Sequence, residues 1–258
     1  MALRGFLLCA HGMLFVLLPG YVMFLVLRRT PSVDRSLLWW GAGGMLVATL
    51  FQGFFTSLLS QLFPNSSNPM TWAAIGAMLM GLCAQGVTWL VLRLRRLAQG
   101  VLIASGAAVG LGMGLVYQIF QGFVLLGVGL KLIQGDISTP LAAEKASSSL
   151  PQIGLAAADS IMGRLAWLVF SAGLGMLVAR ALRDRRGWLF ILAVLCHALV
   201  ALVPPAIANV LGGWPSIALW SELAFEALLL SVGWRWLNTQ LPQVASRRTG
   251  RLKSGRAG

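Results

Sequence analysis

Few side chains in the apolar stretches of this chain can do chemistry. Its 258 residues include two histidines and seven carboxylates. His11, His197, Glu222 and Glu226 fall within long apolar runs, Arg164 opens another, and Asp159 lies at its edge. Glu222 and Glu226 are four residues apart and so share one helix face. An ionisable group at membrane depth is costly, and marks either an ion pair or an ion path, proton path or binding pocket. Two readings follow. A Glu222–Arg164 pair would be structural glue. A polar pocket would combine His197 and Glu226 with the amides Gln85, Gln118 and Gln121. Any one amide in such a run mainly makes an inter-helix hydrogen bond of about 0.6–2 kcal/mol.

The elements that must position these groups are membrane helices. The composition is 58% hydrophobic and 10% charged, far from the roughly one-quarter charged residues of soluble domains. Seven apolar runs approach or exceed the roughly 20 residues that cross a bilayer as a helix: Gly5–Leu27, Leu37–Phe63, Trp72–Leu92, Val101–Ile133, Ile161–Leu182, Trp188–Leu211 and Ser216–Leu237. The polar alternation of a barrel is absent. The fold class is therefore all-α, a polytopic integral membrane helical bundle. The fourth run is too long for an upright helix and predicts a tilt, or an extension beyond the membrane at its Gly127–Gly135 end.

Net charge is +13, and its placement alternates. Arg28, Arg29 and Arg35 follow the first run, Arg93, Arg95 and Arg96 the third, and Arg180, Arg183, Arg185 and Arg186 the fifth. The segments Pro64–Thr71 and Gly212–Pro215 carry no Lys or Arg. By the positive-inside rule the N-terminus lies outside and the C-terminus in the cytoplasm. Residues 1–240 read as one transmembrane domain, and 241–258 as a basic, disordered tail that retains this end inside. The first run lacks the Ala-x-Ala site of a cleaved signal peptide. The longest connection, Gln134–Ser160, is expected outside, with a short interfacial helix over Leu141–Ser147. Eight tryptophans near the run ends form an aromatic belt. Cys9, Cys83 and Cys196 read as packed thiols. Arginines confined to short loops argue against nucleic acid as a partner. The partners expected are the lipid bilayer and a membrane protein, and the location is integral to a membrane, the bacterial inner membrane. His11 and His197 lie at different depths, which argues against bis-histidine haem ligation.

The stretch GLGMGLVYQI, residues 110–119, sets Gly110, Gly112 and Gly114 around Met113. No strand precedes it, so a phosphate-cradling loop is excluded. Gly110 and Gly114 form a small-xxx-small face and Gly112 a second bare patch, where helix backbones can approach closely. Tyr117, one turn on, needs a partner for its hydroxyl.

Three blocks, in order, resemble the YhfC-type intramembrane metalloproteases, relatives of the CAAX-processing and bacteriocin-processing protease group. They are GLCAQGVTW (Gly81–Trp89), GLGMGLVYQI and CHALVAL (Cys196–Leu202). The first family block runs into a Glu-Glu pair, and this chain has Thr88 and Trp89 there. The second has Gly-x-Gly-His-Gly followed by a glutamate, and this chain has Met113 and Tyr117. Only His197, in the third block, keeps a group able to ligate metal or move a proton. One histidine cannot hold a zinc ion that takes about three protein ligands. The resemblance thus implies a pseudoenzyme, a non-catalytic binding or scaffold member without cofactor. The candidate pocket is His197, Glu226, Glu222, Met113, Tyr117, Gln118 and Thr88. A small transporter or permease using Glu226, His197 and the glutamines is the alternative, as is a subunit of a larger membrane complex. An active metalloprotease would need zinc on non-standard ligands such as His197, Glu226 and Glu222.

Overall fold

A computed structural model of the protein describes residues 1–30, 33–63, 68–212 and 214–241. The basic tail beyond Leu241 lies outside the described residues, as does the side chain of Tyr117. Eight helices follow one another: α1 (Ala2–Arg29), α2 (Ser36–Leu62), α3 (Pro69–Leu94), α4 (Gln99–Ile133), α5 (Pro140–Ser147), α6 (Leu150–Arg183), α7 (Gly187–Leu211) and α8 (Pro215–Gln240). All but α5 are long and apolar enough to cross a membrane. No strand occurs among the described residues. The protein is an all-α, multi-pass membrane bundle.

Six of the seven spans match the sequence expectation to within a few residues, and the fifth does not. The run expected to begin at Ile161 begins at Leu150 as α6. The residues that read as loop are a helix start. Ser149 and Gln152 form a capping box, the Gln152 side chain accepting from Ser149 N at 2.9 Å, with Pro151 in the first turn. Such a box satisfies two orphan amides, and proline fits the first turn because no hydrogen bond is needed there. Asp159, expected at the outer edge, consequently sits well inside α6.

The helices α4 and α6 are the axis of the bundle. They have 35 and 34 residues, about 50 Å each at 1.5 Å per residue, well beyond the roughly 30 Å of a hydrocarbon layer. In its most apolar window α6 is 72% buried and α4 65%, against 6% for α8. Their contact is made by glycines. A Cβ on Gly106 would overlap the Gly175 carbonyl, one on Gly110 the Ser171 carbonyl, and one on Gly175 the Gly106 carbonyl. A Cβ on Gly112 would overlap the Leu38 carbonyl of α2. Gly114 faces Leu168 of α6, where a Cβ would come within 3.1 Å of Cδ1. The residues 110–119 thus pack α4 against α6 on one face and against α2 on another.

The main core gathers Leu37 and Ala48 of α2, Leu92 of α3, Leu111 of α4, Leu174 and Met176 of α6 and Leu237 of α8. A second core of Leu8, Val128, Leu132, Ala142 and Ile153 ties the start of α1 to α5 and to the far ends of α4 and α6. The basic clusters that follow α1, α3 and α6 lie at the end of the bundle occupied by the main core. Arg95 pairs with Asp34 at 2.5 Å, and the Arg180 guanidinium donates to the Gln240 side chain of α8. Arg95 also lies over the Trp40 ring at 5.9 Å, and Arg93 over Trp89 at 4.8 Å.

Candidate functional site

The chemically able side chains are distributed over two spaces that share one wall. The first is a closed chamber where α3, α4, α6 and α7 meet. A Cβ on Gly81 of α3 would lie 2.8 Å from the Val194 carbonyl and 3.4 Å from His197 Cβ, so its bareness lets α7 approach. Gln85, one turn on, reaches His197, with Nε2 and Nδ1 3.0 Å apart. If the amide donates to Nδ1, the ring proton resides on Nε2. The Thr88 hydroxyl lies 3.0 Å from the Ala84 carbonyl and 3.1 Å from Met113 Sδ, and can donate to one of them at a time. The edge of Trp167 meets the His197 ring, centroids 4.9 Å apart. His197 is 3% exposed and Thr88 1%. The space among them is about 10 Å³, roughly what one water occupies. His197 Nε2 and Gln85 Oε1 have no hydrogen-bond partner, and a buried polar atom left so costs about 1–3 kcal/mol.

The donor set of this chamber is one imidazole, one amide, two hydroxyls and two thioethers. It does not fit zinc, which takes thiolate, imidazole or carboxylate ligands, about three from the protein. The alternative ligand set of His197, Glu222 and Glu226 is not gathered either. Both glutamates lie beyond Trp167, in the second space. Among the described residues no group of three or more His, Cys, Asp or Glu side chains could hold a metal ion.

The second space is a cavity of about 300 Å³ between α6, α7 and α8, with Asp159, Arg164, Glu222 and Glu226 on its walls. Gly163 makes room for it. A Cβ there would overlap Glu226 Oε1, so the carboxylate lies directly against the backbone of α6. Glu226 Oε2 and Asp159 Oδ1 are buried without a hydrogen-bond partner. The charges that reach Glu226 are Asp159, Glu222 and Arg164. Asp159 also lies close enough to Glu222 for its charge to be felt there, and Arg164 close enough to Asp159. Val200, Ala201 and Pro204 of α7 complete the wall. Pro204 and Pro205 lie inside α7 and have no N–H. The carbonyls of Val200 and Ala201, four residues earlier, therefore lack their usual helical donors. Trp167 lines this cavity as well as the His197 chamber.

Gln118 belongs to neither space. Its amide donates to the Arg164 carbonyl at 2.7 Å, which staples α4 to α6 below the glycine contact. Gln121, three residues on, lines a third cavity beside His11, so the two histidines serve separate places. Trp167 and Gly163 join the site although neither is among the residues the sequence marks as chemically able, and Asp159, expected at the outer edge, lines it too. A signal for Trp167 existed, since it is one of only two of the ten tryptophans that fall away from span ends.

Compared with known proteins, the chain matches no family, no curated protein and no solved structure.

Proposed function

We propose that the protein is a small membrane carrier, and that the cavity facing Glu226 takes up a proton. The observation that carries this reading is the cavity of about 300 Å³ lined by Asp159, Glu222 and Glu226 against one arginine. Carboxylates at membrane depth are the usual stations of a proton path. Broken helices with freed carbonyls at membrane depth are a recurring carrier device. The positive-inside rule supports an orientation with the arginine-rich end in the cytoplasm.

The test is access from each side. In a background with the three cysteines replaced by alanine, the Ala201→Cys variant is exposed to a membrane-impermeant thiol reagent in right-side-out and inside-out vesicles. A carrier exposes this position to both sides in turn, so labelling is expected in both preparations. Labelling from one side alone would refute the carrier and leave a static binding site. The Ser171→Cys variant, in the closed chamber, is expected to stay unlabelled.

A second reading, a non-catalytic member of a YhfC-like protease fold, has a specific support. Gln85 and Thr88 of the first resembling block, Met113 of the second and His197 of the third all line the one small chamber.

A further inference from the structure

The third cavity, of about 420 Å³, lies between α1, α4, α5 and α6, within the usual range of small-molecule sites. Its polar lining includes His11, Gln121, Lys145, Gln152 and Arg164 with two serines, and among the described residues no carboxylate lines it. His11 is 7% exposed and its Nε2 has no hydrogen-bond partner. The Lys145 charge reaches His11. Lys145 also pairs with Glu144 at 2.7 Å, whose side chain is 62% exposed and is not part of the cavity lining. Two fixed cations, an imidazole and several amide and hydroxyl donors therefore converge on one space. Arg164 is shared with the carboxylates on the far side of α6, which leaves Lys145 and His11 as the groups particular to this cavity.

We infer that this cavity binds an oxyanion, a phosphate group carried either by a lipid headgroup or by a soluble phosphate. Phosphate oxygens accept several charge-assisted hydrogen bonds at once, which matches a site rich in donors and with no carboxylate among its lining residues. The inference does not rest on the carrier reading, since it concerns another cavity and the opposite charge.

The experiment uses the full chain in neutral detergent and in nanodiscs. Lys145 acetylation by an amine-reactive reagent is followed by mass spectrometry, with Lys131 as the internal reference. Protection of Lys145 by inorganic phosphate in detergent identifies a soluble ligand. Protection only in nanodiscs of phosphatidylglycerol, and not of phosphatidylcholine, identifies a headgroup. Protection by neither overturns the inference, as does equal protection of Lys131. Thermal stabilisation by the protecting anion gives a second reading. Lys145→Gln is expected to raise the concentration for half-maximal effect about tenfold, and Arg185→Gln, at the other end of the bundle, to leave it unchanged. Equal losses in both variants would reduce the effect to general charge screening and overturn the site.

Discussion

At the arginine-rich end α4 and α6 approach until the backbones of Gly106, Gly110 and Gly175 touch, while toward the other end the same two helices part around a cavity of about 420 Å³. The division between α4 and α6 recurs in α2 and α7, whereas α1 departs from it, the backbones of Gly5 and Gly12 lying against Gly129 and Gly122 of α4 at the far end. The buried positions of α2 lie in its first half, and those of α6 run almost unbroken from Ala166 to Ala181. In α7 the buried positions end at Ala198, before the prolines. One half is thus held by dispersion between small residues with no room for water. The other half keeps Asp159, Arg164, Glu222 and Glu226 in one cavity, and charged groups at that depth must retain space and partners. Rigidity and polarity are separated along the same helices, with Trp167 and the His197 chamber at the boundary.

The largest effect should come from the tight half. Gly110→Val forces a branched side chain into the Ser171 backbone, and an overpacked core loses about 1–3 kcal/mol or fails to assemble. Gly127→Val, where a Cβ meets nothing within 4 Å, is the control. Unfolding midpoints in detergent should separate the pair, and equal midpoints would break the comparison. At the boundary, His197→Ala strands the Gln85 amide and should cost about 1–3 kcal/mol, whereas His197→Phe with Gln85→Leu removes both polar partners and should be closer to neutral. A double variant as unstable as the single one would show that shape, not polarity, holds the chamber.

In the loose half, Gly163→Ala displaces only the end of the Glu226 side chain, so the midpoint should shift less than for Gly110→Val. Labelling of the Ala201→Cys variant should nevertheless change, because the carboxylate moves within that cavity. The smallest effect belongs to the surface. The Ser36 hydroxyl and amide, and then Arg95, hold the Asp34 carboxyl below its ordinary value of 3.8. A lowered value means that the contribution to stability is present above that ordinary value and is lost as pH falls through the lowered one. Asp34→Asn should lower stability slightly at neutral pH and flatten the acid limb of a stability–pH curve, so that the two proteins converge at low pH.

Much of this architecture was legible in the chain. Length and hydropathy predicted seven helices because a bilayer imposes one length and requires every backbone group to be paired within the helix. The start of α6 escaped because Ser147–Ser149 and Pro151 read as loop, although Ser149 and Gln152 carry a cap in plain order. The candidate site was legible as a set of residues but not as a grouping. His197 and Glu226 can share a depth and still be separated by Trp167, since depth counting fixes position along the membrane normal and not around the bundle. Arg164 and Glu222 line the same cavity, with Asp159 and Glu226 beside them, neither of which depth alone would have singled out as neighbours. Gly163 carried no signal, because its role depends on a side chain 63 positions away in the sequence.

Arg164 lines both the cavity beside His11 and the cavity beside Glu226. With an anion bound in one and a proton in the other, as proposed, one side chain would be a term in two binding equilibria. Thermodynamic reciprocity then applies: whatever factor an anion on one side imposes on proton affinity across α6, the proton imposes on the anion. Two solutes that never meet would be read by the protein as one correlated event, with a single side chain as the ledger.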